Sequence, residues 1–248
     1  MNLPALNPAG LDQAILRHGL WDIGAWLAAV ALLLLLYRGR PALFDRGSLA
    51  RVQRGYFLSL PLGGLIGAYL IGSANLWLSG QPGLARSILG GIVGAIVAVE
   101  AYKARQRVVG STGGIFAPAL ALGIGIGRIG CHQAGLADFT YGLPSRLPWA
   151  VDYGDGILRH PVALYESASM LLLFALLALW LRFAPQRLLR EGFYWFALVY
   201  GGQRFVWEFF KPYATLLGPF NLFHFVSAAL VGYAVLMLRG VRHVGKPA

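Results

Sequence analysis

The sequence predicts an all-α integral membrane fold: seven transmembrane helices with a long outer loop between the fourth and fifth. Three observations carry this. Hydrophobic residues fill 57% of the 248 positions and charged residues only 12%, where a soluble domain carries about 25% charged. Mean hydropathy is +0.61. The apolar residues gather into long runs separated by short basic loops, the pattern of a multi-pass membrane protein.

The runs are read as spans over residues 21–37, 56–78, 88–102, 115–130, 163–181, 192–206 and 221–238. Several are shorter than the ~20 apolar residues that cross a hydrocarbon core, so their helices are expected to extend past these limits. The first run is followed by a basic loop and no small-residue cleavage site, so it is expected to be a retained span rather than a removed leader. The second and third carry Gly63, Gly64, Gly67 and Gly90, Gly91, Gly94, small residues that let helices approach closely. The fourth ends in Gly123-Ile124-Gly125-Ile126-Gly127-Arg128. That run superficially matches a glycine-rich nucleotide loop, but no strand precedes it and no βαβ unit surrounds it, which excludes the reading.

The outer loop, about residues 131–162, has turn signals at Gly142-Leu143-Pro144 and Tyr153-Gly154-Asp155-Gly156. The stretch 149–153 between them is expected to form a short strand. Long ordered loops are often functional. His160-Pro161 then opens the fifth span, with proline suited to a first helical turn. No internal repeat or second domain is evident, and residues 1–248 are read as a single polytopic membrane domain.

The formal net charge of +11 raises nucleic-acid binding as a possibility, but the basic residues lie in short loops between spans, so no nucleic acid is expected as a partner. Topology and attraction to anionic lipid explain them. Arg38, Arg40, Arg46, Arg51, Arg54, Lys103, Arg105, Arg107, Arg182, Arg187, Arg190, Arg239, Arg242 and Lys246 fall on one side, fourteen in all, against seven on the other. The excess recurs at alternate loops. It predicts an outer N-terminus and a cytoplasmic C-terminus. The single cysteine, Cys131, excludes an internal disulfide and a Cys-rich metal site, and neither metal nor cofactor is expected.

Ionisable groups at membrane depth are expensive and need a partner, a wet cavity or a substrate. Arg128, His160, Glu166, Arg204, Glu208 and His224 all fall at or beside the outer ends of spans, which points to a site for a charged head group. A planar guanidinium such as that of Arg128 can hold a phosphate through two parallel hydrogen bonds. Arg204 and Glu208, four apart, share a helix face and are expected to pair. Cys131 and His132 are adjacent on a helix, so they do not face each other as a catalytic pair.

Gly127-Arg128-Ile129-Gly130-Cys131, Tyr141-Gly142, the run His160-Pro161-Val162-Ala163-Leu164-Tyr165-Glu166, and Tyr200 with Arg204 to Phe210 together resemble the prolipoprotein diacylglyceryl transferase family. The order, spacing and topology agree from about Tyr56 to the C-terminus. The resemblance implies a transferase of the bacterial cytoplasmic (inner) membrane. It would move a diacylglyceryl group from phosphatidylglycerol, or a related anionic phospholipid, to the lipobox cysteine thiol of a secreted lipoprotein precursor. It implies catalytic roles for Arg128 and Arg204 at the phosphate, with Glu208 orienting Arg204. Tyr200, Glu166, Tyr165, Gly127, Gly142, Gly90 and Gly91 would form the substrate site.

The chain departs from the family at informative positions. The family's His-Gly-Gly, whose histidine is a proposed base for the thiol, is here Leu89-Gly90-Gly91. Leucine cannot accept a proton. Cys131 and Ala134 stand where the family usually carries asparagines, Ala163 where it has a glutamine, and His224 replaces a glutamine in the last span. Two classes of function stay open: a transferase using a different base or acceptor, with His224, His160 or His132 supplying the base, or a non-catalytic membrane protein that binds phospholipid head groups.

Overall fold

In the computed structural model, which describes residues 8–81 and 83–244, the chain is mostly helical. Among the described residues there are seven α-helices: α1 (Pro8–Gly39), α2 (Arg54–Leu78), α3 (Ile88–Gln106), α4 (Ala117–Ala134), α5 (Val162–Phe183), α6 (Pro185–Glu208) and α7 (Leu222–Val244). Every expected span maps onto one of them, and each helix runs past its apolar limit at one end or both, because polar and basic residues there continue the backbone hydrogen-bond ladder. Among the described residues, five segments are long and apolar enough to cross a membrane: Leu16–Gly39, Arg54–Leu78, Gly114–Asp138, Val162–Phe183 and Leu222–Val241. The other two helices are less apolar, since α3 carries Glu100, Lys103 and Arg105, while α6 carries Arg187, Arg190, Glu191, Arg204 and Glu208. Lys246, one of the basic residues read in the tail, lies outside the described residues.

Local signals account for the helix ends. Ser87 caps α3, its hydroxyl accepting the Gly90 N–H at 3.2 Å and satisfying an otherwise orphaned donor. Pro185 starts α6 directly after α5, so these two pack as antiparallel neighbours. In the packing order, α2 lies on α3, α3 on α7, α7 on α6, α6 on α5, α5 on α4 and α4 on α1. Gly67 and Gly90 set the α2–α3 distance, since a Cβ on either would collide with the carbonyl oxygen of the other. Side chains such as Leu58, Leu62, Ile66 and Leu70 on α2 stay exposed, as a lipid-facing surface requires.

The long connection is shorter than the sequence indicates. Helix α4 continues to Ala134 and a 3₁₀ turn follows at Gly135–Asp138, so Cys131 and His132 are helical. A two-stranded hairpin then forms, β1 (Val151–Asp152) with β2 (Leu158–Arg159). The strand expected at 149–153 is thus present in its second half. A second hairpin, β3 (Thr215–Leu217) with β4 (Phe220–Asn221), links α6 to α7. Both hairpins lie at the same end of the bundle as the C-termini of α4 and α6 and the N-termini of α5 and α7.

Candidate active site

That end of the bundle brings five ionised side chains together. Glu166, in the first turns of α5, is fully buried and takes partners from three directions. Its Oε2 lies 3.0 Å from Nε of Arg128 on α4, and its Oε1 meets Nη1 of Arg204 on α6 and Nζ of Lys211 at 2.8 Å. Glu208 pairs with Nη2 of Arg204 one turn away and lies 3.5 Å from the Lys211 Nζ. The expected Arg204–Glu208 pair is therefore present, inside a larger network.

The network carries three cations against two carboxylates, and all five side chains are buried. Buried charge of this kind is tolerated only when paired and hydrogen-bonded. The surplus is one positive charge. Arg204 Nε and the Tyr200 hydroxyl are buried without a partner among the described residues, and Tyr200 sits one turn before Arg204 on the same face of α6. A guanidinium edge and a phenol free to donate, within a network that carries a surplus positive charge, suit an oxyanion.

A second link runs from Glu208 toward α7. Asn221 Nδ2 donates to Glu208 Oε2 at 3.4 Å. The backbone nitrogen and Oδ1 of Asn221 each stand 3.0 Å from Nδ1 of His224. Asn221 thus engages Nδ1 in either tautomer, leaving Nε2 buried and without a partner among the described residues. The rings of Phe205, Phe209 and Phe220 pack around the imidazole. Ser227, one turn on, is also fully buried with no partner for its hydroxyl.

Other residues singled out in the sequence lie elsewhere. His160 Nδ1 is 3.4 Å from the Tyr165 hydroxyl, which accepts from Trp149 Nε1 at 2.7 Å, so this group ties the loop to α5 beside the network. His132 bonds the Tyr153 hydroxyl at 3.0 Å. Gly90 and Gly91 turn toward α2, Gly127 toward Ala25 and Asp22 on α1, and Gly142 against the His160 carbonyl. At Gly90 and Gly142 the small size serves close packing of backbone on backbone, while Gly91 and Gly127 make only ordinary contacts. Leu89 is fully buried in the apolar core with Ala117, Ala121, Met170 and Tyr200.

Sequence reasoning missed Lys211 and Asn221. Lys211 follows Glu208 by three residues, a helical spacing that carried a signal, but it counted there only as a loop charge. Asn221 gave none, because its role comes from the hairpin that returns it over α6.

The chain resembles proteins of one kind. The family model described as prolipoprotein diacylglyceryl transferase matches residues 62–239. A protein of Geobacter sulfurreducens named phosphatidylglycerol–prolipoprotein diacylglyceryl transferase is 30% identical, with 99% of this chain and 100% of that protein covered. Proteins of the same name from Pasteurella multocida and Azoarcus sp. are 31% and 35% identical, covering 86% and 79% of this chain and 76% and 71% of their own.

Proposed function

The chain belongs to the prolipoprotein diacylglyceryl transferase family, and from that premise we propose that it transfers a diacylglyceryl group from phosphatidylglycerol to the cysteine thiol of a lipoprotein precursor in the bacterial inner membrane. The observation that carries the reading is the buried network with one surplus positive charge at the end of the bundle. In it, Arg128, Arg204 and Lys211 hold the phosphodiester, and Glu166 and Glu208 fix the directions of the cations. Tyr200 donates to a phosphate oxygen.

The acceptor sulfur attacks the glyceryl carbon that bears the phosphate. The C–S bond forms, the C–O bond breaks and glycerol phosphate leaves with the bonding electrons. Negative charge therefore grows on the phosphate in the transition state, where prepositioned cations act most strongly because water is excluded. The thiol proton passes to His224 Nε2, which stands in for the base that Leu89 cannot provide. Glu208 joins the two halves, touching Arg204 on one side and, through Asn221, His224 on the other. His160 and Tyr165 hold the outer loop at the site's edge.

In this reading residues 1–248 form one domain of seven spans. The N-terminus and the outer loop face outward and the C-terminus lies in the cytoplasm, supported by the basic bias of fourteen against seven. Helices α3 and α6 span despite their charges, because Glu100 pairs with Lys103 and Arg204 with its two glutamates, while Arg105, Arg187 and Arg190 lie exposed toward the helix ends. The test is purified protein with labelled phosphatidylglycerol and a lipobox peptide. The expected result is a thioether-linked diacylglyceryl group on the peptide cysteine and an equal amount of free glycerol phosphate. Phospholipid binding with no product of either kind would overturn the reading.

A further inference from the structure

Beside the charged network, three side chains with no part in the transfer chemistry meet at one point. His18 comes from α1, Cys131 from α4 and Asp138 from the 3₁₀ turn that follows. His18 Nε2 lies 3.5 Å from Cys131 Sγ and 3.9 Å from Asp138 Oδ1, and the three atoms all fall within 4.8 Å of one another. Helix α1 can come this close because position 130 is glycine. A Cβ there would stand 2.6 Å from Trp21 Cβ and 3.2 Å from His18 Cδ2. Asp22, one turn along α1, brings its Oδ1 to 3.9 Å from the same Nε2.

Every one of these approaches is to a single ring nitrogen. A proton relay needs the carboxylate on one imidazole nitrogen and the thiol on the other, so a Cys–His–Asp relay does not fit. Ligands gathered around a cation do. In a tetrahedral zinc site, Zn–S of about 2.3 Å and Zn–N of about 2.0–2.1 Å set sulfur and nitrogen about 3.5 Å apart. The observed separation matches, and the Asp138 oxygen, 3.9 Å from the imidazole nitrogen, needs to move only slightly. The second oxygen of Asp138 accepts from Thr140 Oγ1 at 2.6 Å, the kind of outer hydrogen bond that orients a ligating carboxylate. The His18 and Asp138 side chains keep 24% and 17% exposure, which gives an ion a way in.

We propose that His18, Cys131 and Asp138 bind one zinc ion, with the fourth position left to water. A thiolate and an imidazole select a borderline-soft ion over magnesium or calcium. Cys131 releases its proton as zinc binds, and the thiolate and the Asp138 carboxylate then balance the dication, so the occupied site is neutral beside Arg128, whose Nη1 is 3.7 Å from the sulfur. It ties α1 to α4 at the rim of the phosphate site.

Cys131 is the chain's only thiol, so its chemistry can be followed without background. Untagged full-length protein in detergent, reduced and stripped of metal, is dialysed against zinc chloride, and alkylation of Cys131 is timed with and without the ion. One zinc per chain should be retained, and alkylation should slow about tenfold or more, since the sulfur lone pair is then engaged. Magnesium should do neither. His18→Ala and Asp138→Asn should lose both effects, while His132→Ala, whose ring bonds Tyr153 instead, should keep them. Wild type that retains no zinc, or zinc protection that survives His18→Ala, would overturn the site. Neither readout depends on transferase activity, so failure here is separable from failure of the proposed function.

Discussion

Glu166 sets its Oε2 3.0 Å from Nε of Arg128, with both side chains buried, so a carboxylate at the start of α5 fixes the arginine that ends the apolar run of α4. The other oxygen of the same carboxylate serves Arg204 and Lys211. Glu166 is thus the common counter-charge for three cations.

Removing that charge should therefore cost stability. Breaking a buried ion pair by deleting one partner typically costs about 3–5 kcal/mol, because the other charge stays desolvated. Glu166→Gln and Glu166→Ala should both lower the melting temperature in detergent. Glu166→Gln combined with Arg128→Gln should lose less than the sum of the two single changes. A melting temperature that does not move would show that the network is not buried as described.

The acceptor step should separate from the phosphate site. His224→Ala should reduce modification of a lipobox peptide by about 10²–10⁴-fold, the range of general base catalysis, while phosphatidylglycerol binding persists. His160→Ala should leave much of the activity, since that ring contacts Tyr165 and Phe210 at the loop. Leu89→His should recover part of the activity lost in His224→Ala. Peptide modification and lipid binding measured on the same variants check this, and a loss in His160→Ala with none in His224→Ala would reverse the assignment.

Orientation is testable with the native thiol removed. In a Cys131→Ser background, Ser145→Cys in the outer loop should react with a membrane-impermeant reagent added outside the cell, and Asp45→Cys, exposed in the first basic loop, should not. The reverse pattern would put the charged network at the cytoplasmic face.

The β1–β2 hairpin should loosen in acid. A 2.5 Å ion pair and hydrogen bond from Arg159 hold the Asp155 carboxyl below the usual carboxylate range. A depressed folded-state pKa contributes stability above the unfolded value of about 3.9 and loses it as pH falls through the folded value. Amide exchange across 151–160, corrected for intrinsic rates, should quicken below about pH 4. Asp155→Asn should make it quick already at neutral pH and flat below.

Much of this was legible in the chain. The apolar runs placed all seven helices, because length and hydropathy register directly in sequence, and the helical spacing of Arg204 and Glu208 foretold their pairing. That the six polar candidates share one end of the bundle followed from the alternation of basic loops. What sequence could not give was set by tertiary return. Glu166 became the centre only when α4 and α6 closed on α5. Cys131 met His18 rather than its neighbour His132, because Gly130 lets α1 lie against α4. Gly90 and Gly91, read as part of a substrate site, face α2, and at Gly90 the backbone of α2 leaves no room for a side chain.

The central claim is that the arginines hold the phosphate while charge grows on it. The rate of glycerol phosphate release from phosphatidylglycerol, measured for wild type, Arg204→Lys, Arg128→Lys, Glu208→Gln and the Arg204→Lys/Glu208→Gln double variant, tests this most directly. Lysine keeps the charge but loses the planar fork, so each arginine variant should slow release by about 10²–10³-fold, as loss of one transition-state donor does. The double variant should be little slower than Arg204→Lys alone, because Glu208 acts through Arg204. Wild-type rates in both lysine variants would contradict the claim.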